Sequence, residues 1–562
     1  LEELAGDSSF LQRFEQEFCE EANAPVDGVS RRRVLQLMSA SVALAGLSGC
    51  RWPEEEIIPF DRRPESYQPG KLTRYATSLE VAGVVTPVVV SSFDGRPIKI
   101  EGNPDHPLSG GAANALAQAS ILELYDRDRS RQPTLRQGEI ARRATWPEFT
   151  AAIPQLIAGQ GERAAVLSQP LRSPTLERAA LRLQERFPGL RWYEFAAGSD
   201  TKQATSLEKV FGHPVHLSHD LEQARVIVDF DADLLVTHPE GVRNARGFAR
   251  ARTPDPATMS RLYVFESVPS ATGSAADHRV PLTPSQIVMA LTALAARLQG
   301  SDGLVRPEAL ADLDTAAARQ ALARAGMESM AATLEAVAED LLHSTRQAFV
   351  ALGDRHPAAA HSLIHRINLA LGNDQGPVFY GAGRKSPLES GTLDDLARRL
   401  QEGEIDCLFI LDGNPIFDAP ADLGFATALR NVDRSVHLGL HENETAAACH
   451  WHLPMAHGLE SWGDLWDLEG RVCAVQPLIR PLFDGRTPTE ILSMIGDATP
   501  MASHDMAPIH SPQPMNGTKL SLPVRSARTD SKAATVAAPA HRTVHVRRWQ
   551  NPPTSAARRT AS

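Results

Sequence analysis

Ile405-Asp406-Cys407-Leu408-Phe409-Ile410-Leu411-Asp412-Gly413-Asn414-Pro415 is an apolar run that stops abruptly in a turn. A short run with no polar alternation, closed by turn residues, reads as a strand buried on both faces, the kind found in parallel sheets. A glycine-led turn at the C-terminal end of such a strand lets backbone amides approach a phosphate or a ring edge, although the same residues also make an ordinary tight turn. Working outward, residues 164–167 precede a helical period over 175–186, residues 225–230 lie ahead of a short apolar run at 234–236, and residues 261–266 and 347–352 are similar runs. Strands alternating with helical periods predict an α/β chain with doubly wound parallel sheets. Residues 87–91 and 94–100 read instead as a hairpin turning at Asp94-Gly95.

With 562 residues, of which 42% are hydrophobic, the chain is long enough for several domains and apolar enough to build large cores. The formal net charge of −11, with no basic stripe interleaved with aromatics, excludes nucleic acid as a partner. The five cysteines are Cys19, Cys50, Cys407, Cys449 and Cys473, and no two form a C-x-x-C pair, so no iron–sulfur or structural zinc motif is recognisable. Cys449 and Cys473 are within reach of a pairing on paper, but buried free thiols are the expectation. Neither a G-x-S-x-G elbow nor a Walker-type phosphate loop occurs, which disfavours serine hydrolysis and nucleotide hydrolysis.

Near the start, Arg31 and Arg32 precede a weakly apolar run that is too short to span a bilayer and closes on Leu47-Ser48-Gly49-Cys50. This pattern is similar to a twin-arginine export signal ending in a lipobox, with Cys50 as the residue to be acylated. The organisation expected from these features is an arm over 1–29, a signal over 30–50, a Pro- and Glu-rich linker over 51–72, an α/β body over 73–496 and a tail over 497–562. The tail, rich in Ser, Thr, Pro, Ala and Arg and without apolar periodicity, is expected to be disordered.

Several stretches in fixed order resemble the molybdopterin oxidoreductase family. They are residues 95–107 (GRPIKIEGNPDHP), the segment 119–129 that follows, Gly413-Asn414-Pro415, Glu444-Thr445, Leu453-Pro454, residues 460–464 (ESWGD), Glu469-Gly470 and Gln476-Pro477. Thr272-Gly273 and residues 276–278 belong with them more weakly. The resemblance covers about residues 70–495 and implies that Gly413, Asn414 and Pro415 form a vestigial pterin-site turn.

The departures are as informative as the matches. No cysteine lies between Arg51 and Asp406, and residues 111–115 read Gly-Ala-Ala-Asn-Ala where family members often place a cluster cysteine. The arm, the internal twin-arginine element, the lipobox and the metal-poor body together resemble the molybdopterin-oxidoreductase-like subunit of alternative complex III, without the ferredoxin-like half that usually follows. The resemblance implies a chain with no cofactor and no catalytic residue. It would sit lipid-anchored on the periplasmic face of the bacterial inner membrane, beside an iron–sulfur ferredoxin-like subunit, c-type cytochromes and integral-membrane quinol-binding subunits. The alternative is a catalytic molybdenum enzyme with bis-pterin guanine dinucleotide and unusual ligation.

Two further groupings are ambiguous in sequence. Cys449, His450 and His452, close to His437, His441 and His457, carry metal-ligating atoms, while Trp451, Leu453 and Pro454 around them favour packed, structural histidines. Asp229 and Asp231 read as solvated carboxylates at a strand end.

Overall fold

Asp94 and Gly95, at φ 48° and 82°, supply the two left-handed residues of the hairpin turn that the Asp-Gly pair predicts. They join β2 (Val84–Phe93) to β3 (Arg96–Gly102), and β1 (Thr73–Val81) pairs antiparallel with the other edge of β2. Pro87 is tolerated in this central strand because β3 pairing begins one residue later, at Val88↔Gly102, so the missing N–H faces no ladder partner. The sheet packs Leu79, Val88, Val90 and Ile100 onto Leu124 of the helix Ala115–Leu124 and onto Leu459.

The computed structural model describes residues 70–497, apart from 139, 158, 199–200, 256–258 and 315–329, and beyond them Met501 and a short antiparallel pair, Leu520–Leu522 with Arg542–Val544. The chain divides into two units, Leu1–Tyr67 and Gln68–Ser562. Arg31, Arg32, Cys50 and the rest of the expected arm, signal and most of the linker lie outside the described residues, as does most of the expected disordered tail. Among the described residues no helix is long and apolar enough to cross a membrane.

Along the chain follow β4 (Thr134–Gln137), β5 (Ile140–Arg143), β6 (Ala164–Ser168), β7 (Arg191–Glu194), β8 (Val215–His219), β9 (Val226–Phe230), β10 (Arg261–Glu266), β11 (His278–Pro281), β12 (Ala348–Leu352) and β13 (Val378–Ala382). The last are β14 (Ser390–Gly391), β15 (Cys407–Leu411), β16 (Arg434–Gly439), β17 (Trp451–Pro454), β18 (Gly463–Trp466) and β19 (Val472–Val475). The larger sheet has the order β14-β7-β6-β15-β16-β17-β4-β5, parallel from β14 to β17. A second, four-stranded parallel sheet has the order β11-β10-β9-β12. Both are doubly wound, as the strand–helix alternation predicts.

Each sheet buries both faces, which explains why its central strands read as unbroken apolar runs. On the larger sheet, Val166, Phe409 and Val436 pack against the helices Trp146–Leu156, Pro174–Arg186 and Pro488–Gly496, while Leu167, Leu408 and Ile410 face Leu393–Gln401 and Phe425–Arg430. On the smaller sheet, Val228, Phe265 and Val350 face the helices Pro284–Gln299, Ala331–His343 and Ala358–Ala370. Several of these helices start at a Thr whose side chain accepts from the third residue on while a Glu or Gln there reaches back, as at Thr145/Glu148, Thr283/Gln286 and Thr487/Glu490.

Two expectations are corrected here. The apolar run 234–236 is a turn, because Leu234 is fully buried by a loop held from below: the Asp229 carboxylate accepts the N–H groups of Ala232 (2.6 Å) and Leu234 (3.2 Å). Asp229 and Asp231 do end a strand but are not solvated. Asp229 is completely buried, with its carboxyl pushed up to about 7 by that burial. Asp231, at φ 62°, bonds Arg355 (2.7 Å) and His356 (3.3 Å).

Candidate functional site

In an open α/β sheet a ligand crevice forms at the C-terminal ends of neighbouring strands whose connections leave in opposite directions. In the larger sheet that point lies between β6, which leads toward β7, and β15, which leads toward β16. Ser168-Gln169 leaves β6 there and Asp412-Gly413-Asn414-Pro415 leaves β15, and Gln169 Nε2 donates to Asp412 Oδ2 across the gap (3.4 Å). The turn read from the sequence therefore stands at the switch point.

Its conformation is unusual at one residue. Asp412, a non-glycine, has φ 67°, followed by Gly413 at 83°. Such a backbone costs an L-residue roughly 1–2 kcal/mol. The surrounding bonds offset that cost: Asp412 N–H donates to the Leu438 carbonyl (2.9 Å), and the Gly413 carbonyl accepts from His437 Nε2 (3.1 Å) and Asn443 Nδ2 (3.4 Å). Asn414 Oδ1 accepts from the Thr445 backbone N–H (3.2 Å) and hydroxyl (2.7 Å), and its amide donates to Glu444 (2.7 Å). Pro415, buried, opens the short helix Pro415–Asp418. Gly413-Asn414-Pro415 and Glu444-Thr445 are thus one hydrogen-bonded unit.

The other quoted stretches converge in the same way. Asp464 accepts from Ser173 Oγ (2.7 Å), Thr175 N (3.1 Å) and Thr175 Oγ1 (2.6 Å), capping the helix that follows β6. Glu460 forms a bidentate pair with Arg129, and both residues are buried. Thr77 of β1 exchanges bonds with the backbone of Gln476 (3.0 and 3.2 Å). Glu469 bonds Arg243 at 2.6 Å. Thr272 belongs to the smaller sheet, where its hydroxyl donates to Asp233 (2.7 Å), and Asp277 pairs with Arg252 (2.7 Å).

Sequence reasoning missed Glu80, Arg172, Gln169 and Glu194. Glu80, near the end of β1, pairs with Arg172 at 3.4 Å. Burial pushes its carboxyl up to about 7, and of its charged neighbours Arg172 works against that rise while Asp412 adds to it. Burial likewise raises Asp412 and Glu194. A pterin dinucleotide carries a diphosphate, which needs free donors and positive charge. This crevice offers carboxyl groups, and its Arg172 guanidinium is already engaged by Glu80. The Gly413 N–H faces the Asp412 carboxylate, the Asn414 side-chain oxygen is taken by Thr445, and its amide donates to Glu444. Cys407 lies at the opposite end of β15 from the turn. These residues do not fit the dinucleotide.

The histidine group does not gather into a metal site. His450 Nδ1 contacts Ser435 (2.9 Å), Cys449 is a free thiol in the core on one face of the larger sheet, and His452 turns elsewhere. His437 and His452 sit side by side on β16 and β17 with Nδ1 atoms 3.0 Å apart, and His452 Nε2 lies 2.5 Å from Ser130 Oγ. The carbonyl of Gly413 can only accept, so His437 donates from Nε2, accepts at Nδ1 from His452 and leaves His452 Nε2 to accept the Ser130 hydroxyl proton. Every proton in this buried chain is assigned with both rings neutral.

Burial holds His437 down at about 4 and His452 at about 3, against 6.5 when free. The unfolded chain therefore binds more protons in this window. The stabilisation is complete above pH 6.5 and is lost as pH falls toward 4, by roughly 2 kcal/mol per ring at pH 5. Asp229 and Glu80, raised to about 7, act in the opposite sense. Burial also holds down His238 and His365 at about 3 and His361 and His457 at about 4, which outweighs the two carboxyls, so we expect the urea midpoint to drop between pH 7 and pH 5, and the drop to shrink in the double variant His437→Asn/His452→Asn. An equal drop in both proteins would remove these rings from the account.

No protein-family model matches the chain. Among curated proteins it is distantly homologous to the molybdopterin-binding-like subunit of menaquinone reductase from Nitratidesulfovibrio vulgaris, 24% identical over 440 residues, which are 73% of this chain and 62% of that protein. The chain thus spans less than two thirds of the length of that relative. Among solved structures it is similar in fold to acetylene hydratase from Pelobacter acetylenicus, with a TM-score of 0.58, 11% identity, and coverage of 75% of this chain and 68% of that one. That likeness is one of fold: a multi-domain, molybdopterin-oxidoreductase-like α/β architecture.

Proposed function

We propose that this chain is a cofactor-less, structural subunit of a membrane-bound respiratory quinol oxidoreductase of the alternative complex III kind, with the fold of a molybdenum enzyme and none of its chemistry. The observation that carries the reading is the switch-point crevice. The Gly413 carbonyl and the Asn414 side-chain oxygen of its turn are bonded within the protein, and Glu80, Asp412 and Glu194 occupy the place where a diphosphate would need donors. The distant homology to a molybdopterin-binding-like subunit of a menaquinone reductase supports the respiratory setting. The stretch from Arg31 and Arg32 to Cys50 supports export and a lipid anchor on the periplasmic face.

In this role the chain docks cluster-bearing, haem-bearing and quinol-binding partners and moves no electrons itself. Capture of the tagged chain from gently solubilised native membranes is the direct test. The expected result is near-stoichiometric recovery of an iron–sulfur protein, c-type cytochromes and an integral-membrane subunit. Recovery of the chain alone, under conditions that keep other respiratory complexes intact, would argue against a subunit role.

A further inference from the structure

The loop after β3 and the β18–β19 hairpin bring three unlike donors together: the imidazole of His106, the carboxylate of Asp467 and the thiol of Cys473. One ligand atom from each lies within 4.8 Å of the others. His106 Nε2 is 3.5 Å from Asp467 Oδ2 and 3.7 Å from Cys473 Sγ. The first separation is too long for a good hydrogen bond between nitrogen and oxygen. It is instead the spacing that tetrahedral zinc imposes on its ligands, since bonds of about 2.0–2.3 Å place neighbouring donors roughly 3.3–3.7 Å apart.

We propose that His106, Asp467 and Cys473 bind a single divalent cation of the zinc type, with water as the fourth ligand. The carboxylate is held in place for this task, because Asp467 Oδ1 accepts the backbone N–H groups of Glu469 (2.9 Å) and Arg471 (2.8 Å), and Oδ2 accepts from Arg471 Nε (2.7 Å). Such outer contacts fix the direction of a ligating oxygen. Asp467 and Cys473 are buried, whereas the His106 side chain keeps 18% of its surface open, which leaves a route for the ion and for water. Thiolate, carboxylate and imidazole together form a mixed donor set that suits zinc better than magnesium or calcium.

Loading releases one proton, that of the Cys473 thiol, and moves the imidazole proton of His106 from Nε2 to Nδ1. Nδ1 now accepts the Leu108 N–H at 3.3 Å, so this contact opens when the ion binds. A second group, His219, His238 and Glu240, also meets the spacing limit, but its His219–Glu240 separation is shorter than a shared tetrahedral ion sets between two of its ligands. His219 Nδ1 stands 2.9 Å from Glu240, Arg243 bonds the same carboxylate, and His238 Nδ1 accepts the Glu240 N–H at 3.1 Å.

The test is a titration of the purified, chelator-treated full chain with Co²⁺, followed by displacement with Zn²⁺. The proposal expects one equivalent of Co²⁺, an intense visible band of tetrahedral cobalt and a near-ultraviolet thiolate-to-cobalt charge-transfer band. Cys473→Ser should abolish the charge-transfer band and weaken binding at least ~10-fold, while His219→Gln should leave both unchanged. His106→Gln gives a second reading of affinity and tetrahedral intensity should Cys473→Ser fail to fold, which circular dichroism reports. Absence of stoichiometric binding, or a charge-transfer band that survives in Cys473→Ser, would overturn the site.

Discussion

Glu460→Ala is expected to destabilise the protein by about 3–5 kcal/mol, because it leaves the Arg129 guanidinium buried without its counter-charge. Arg129 is 3% exposed and Glu460 4%, and they meet through two bonds of 3.1 and 2.7 Å. The carboxylate also accepts the N–H groups of His457 and Leu482, both at 2.9 Å, while Arg129 donates to the Leu124 carbonyl at 2.9 Å. Burial alone would raise the Glu460 carboxyl, but the Arg129 guanidinium and the two backbone donors outweigh it and hold the group below its usual range. Glu460→Ala therefore strands one cation and two amides together. The pair ties the end of the helix Ala115–Leu124 to the segment leading into β18, so the loss should appear as a lower urea midpoint. It should also appear as early proteolysis near residues 124–131. A double variant, Arg129→Met/Glu460→Leu, is expected to recover much of the loss, since two apolar side chains leave no charge behind. An unfolding free energy of Glu460→Ala within about 1 kcal/mol of the parent would mean that water reaches this pair.

Gly353→Ala should cost about 3 kcal/mol, the upper part of the range for overpacking. Gly353 follows β12 at the switch point of the smaller sheet, where β9 and β12 are neighbours. A Cβ there would stand 2.0 Å from the Asp231 carbonyl oxygen and 2.7 Å from its carbon. Those are backbone atoms of a loop that cannot retreat. Asp229 holds Ala232 and Leu234 from below, Asp231 is tied to Arg355 and His356, and the Gly353 N–H itself donates to the Phe230 carbonyl at 2.9 Å. Gly413→Ala is the contrasting case, since the nearest atom to its added Cβ is 3.9 Å away and only the left-handed φ opposes it. Thermal unfolding of the two variants should therefore separate them clearly, with Gly353→Ala the less stable. The reverse order would show that the β9 loop yields.

What the sequence revealed and what it concealed have a common cause. The strands of the two parallel sheets were legible because burial on both faces leaves no polar residue to interrupt the run, as in Cys407–Leu411. The edge hairpin of β4 and β5 was not, since Ile140–Arg143 is exposed throughout and carries no apolar alternation. The turn at Asp94-Gly95 was legible from its residues, whereas its neighbour at Ala82-Gly83 places an alanine at φ 49°, which no residue preference announces. At the switch point, Gly413-Asn414-Pro415 stood out through resemblance, but the groups that make the crevice acidic come from Glu80 and Glu194, far away in the chain. The His437–His452 chain depends on the register of β16 with β17, which pairs residues fifteen apart. Periodicity locates elements; it does not say which of them meet.

The central claim is that a molybdenum-enzyme fold here carries no molybdenum chemistry, and elemental analysis tests it most directly. Molybdenum, tungsten and iron should be measured on the chain purified from its native membrane, before and after its partners are stripped away. The account predicts neither molybdenum nor tungsten in either sample, with iron present only while the partners remain. Stoichiometric molybdenum or tungsten retained by the stripped chain would contradict it and make this protein an enzyme.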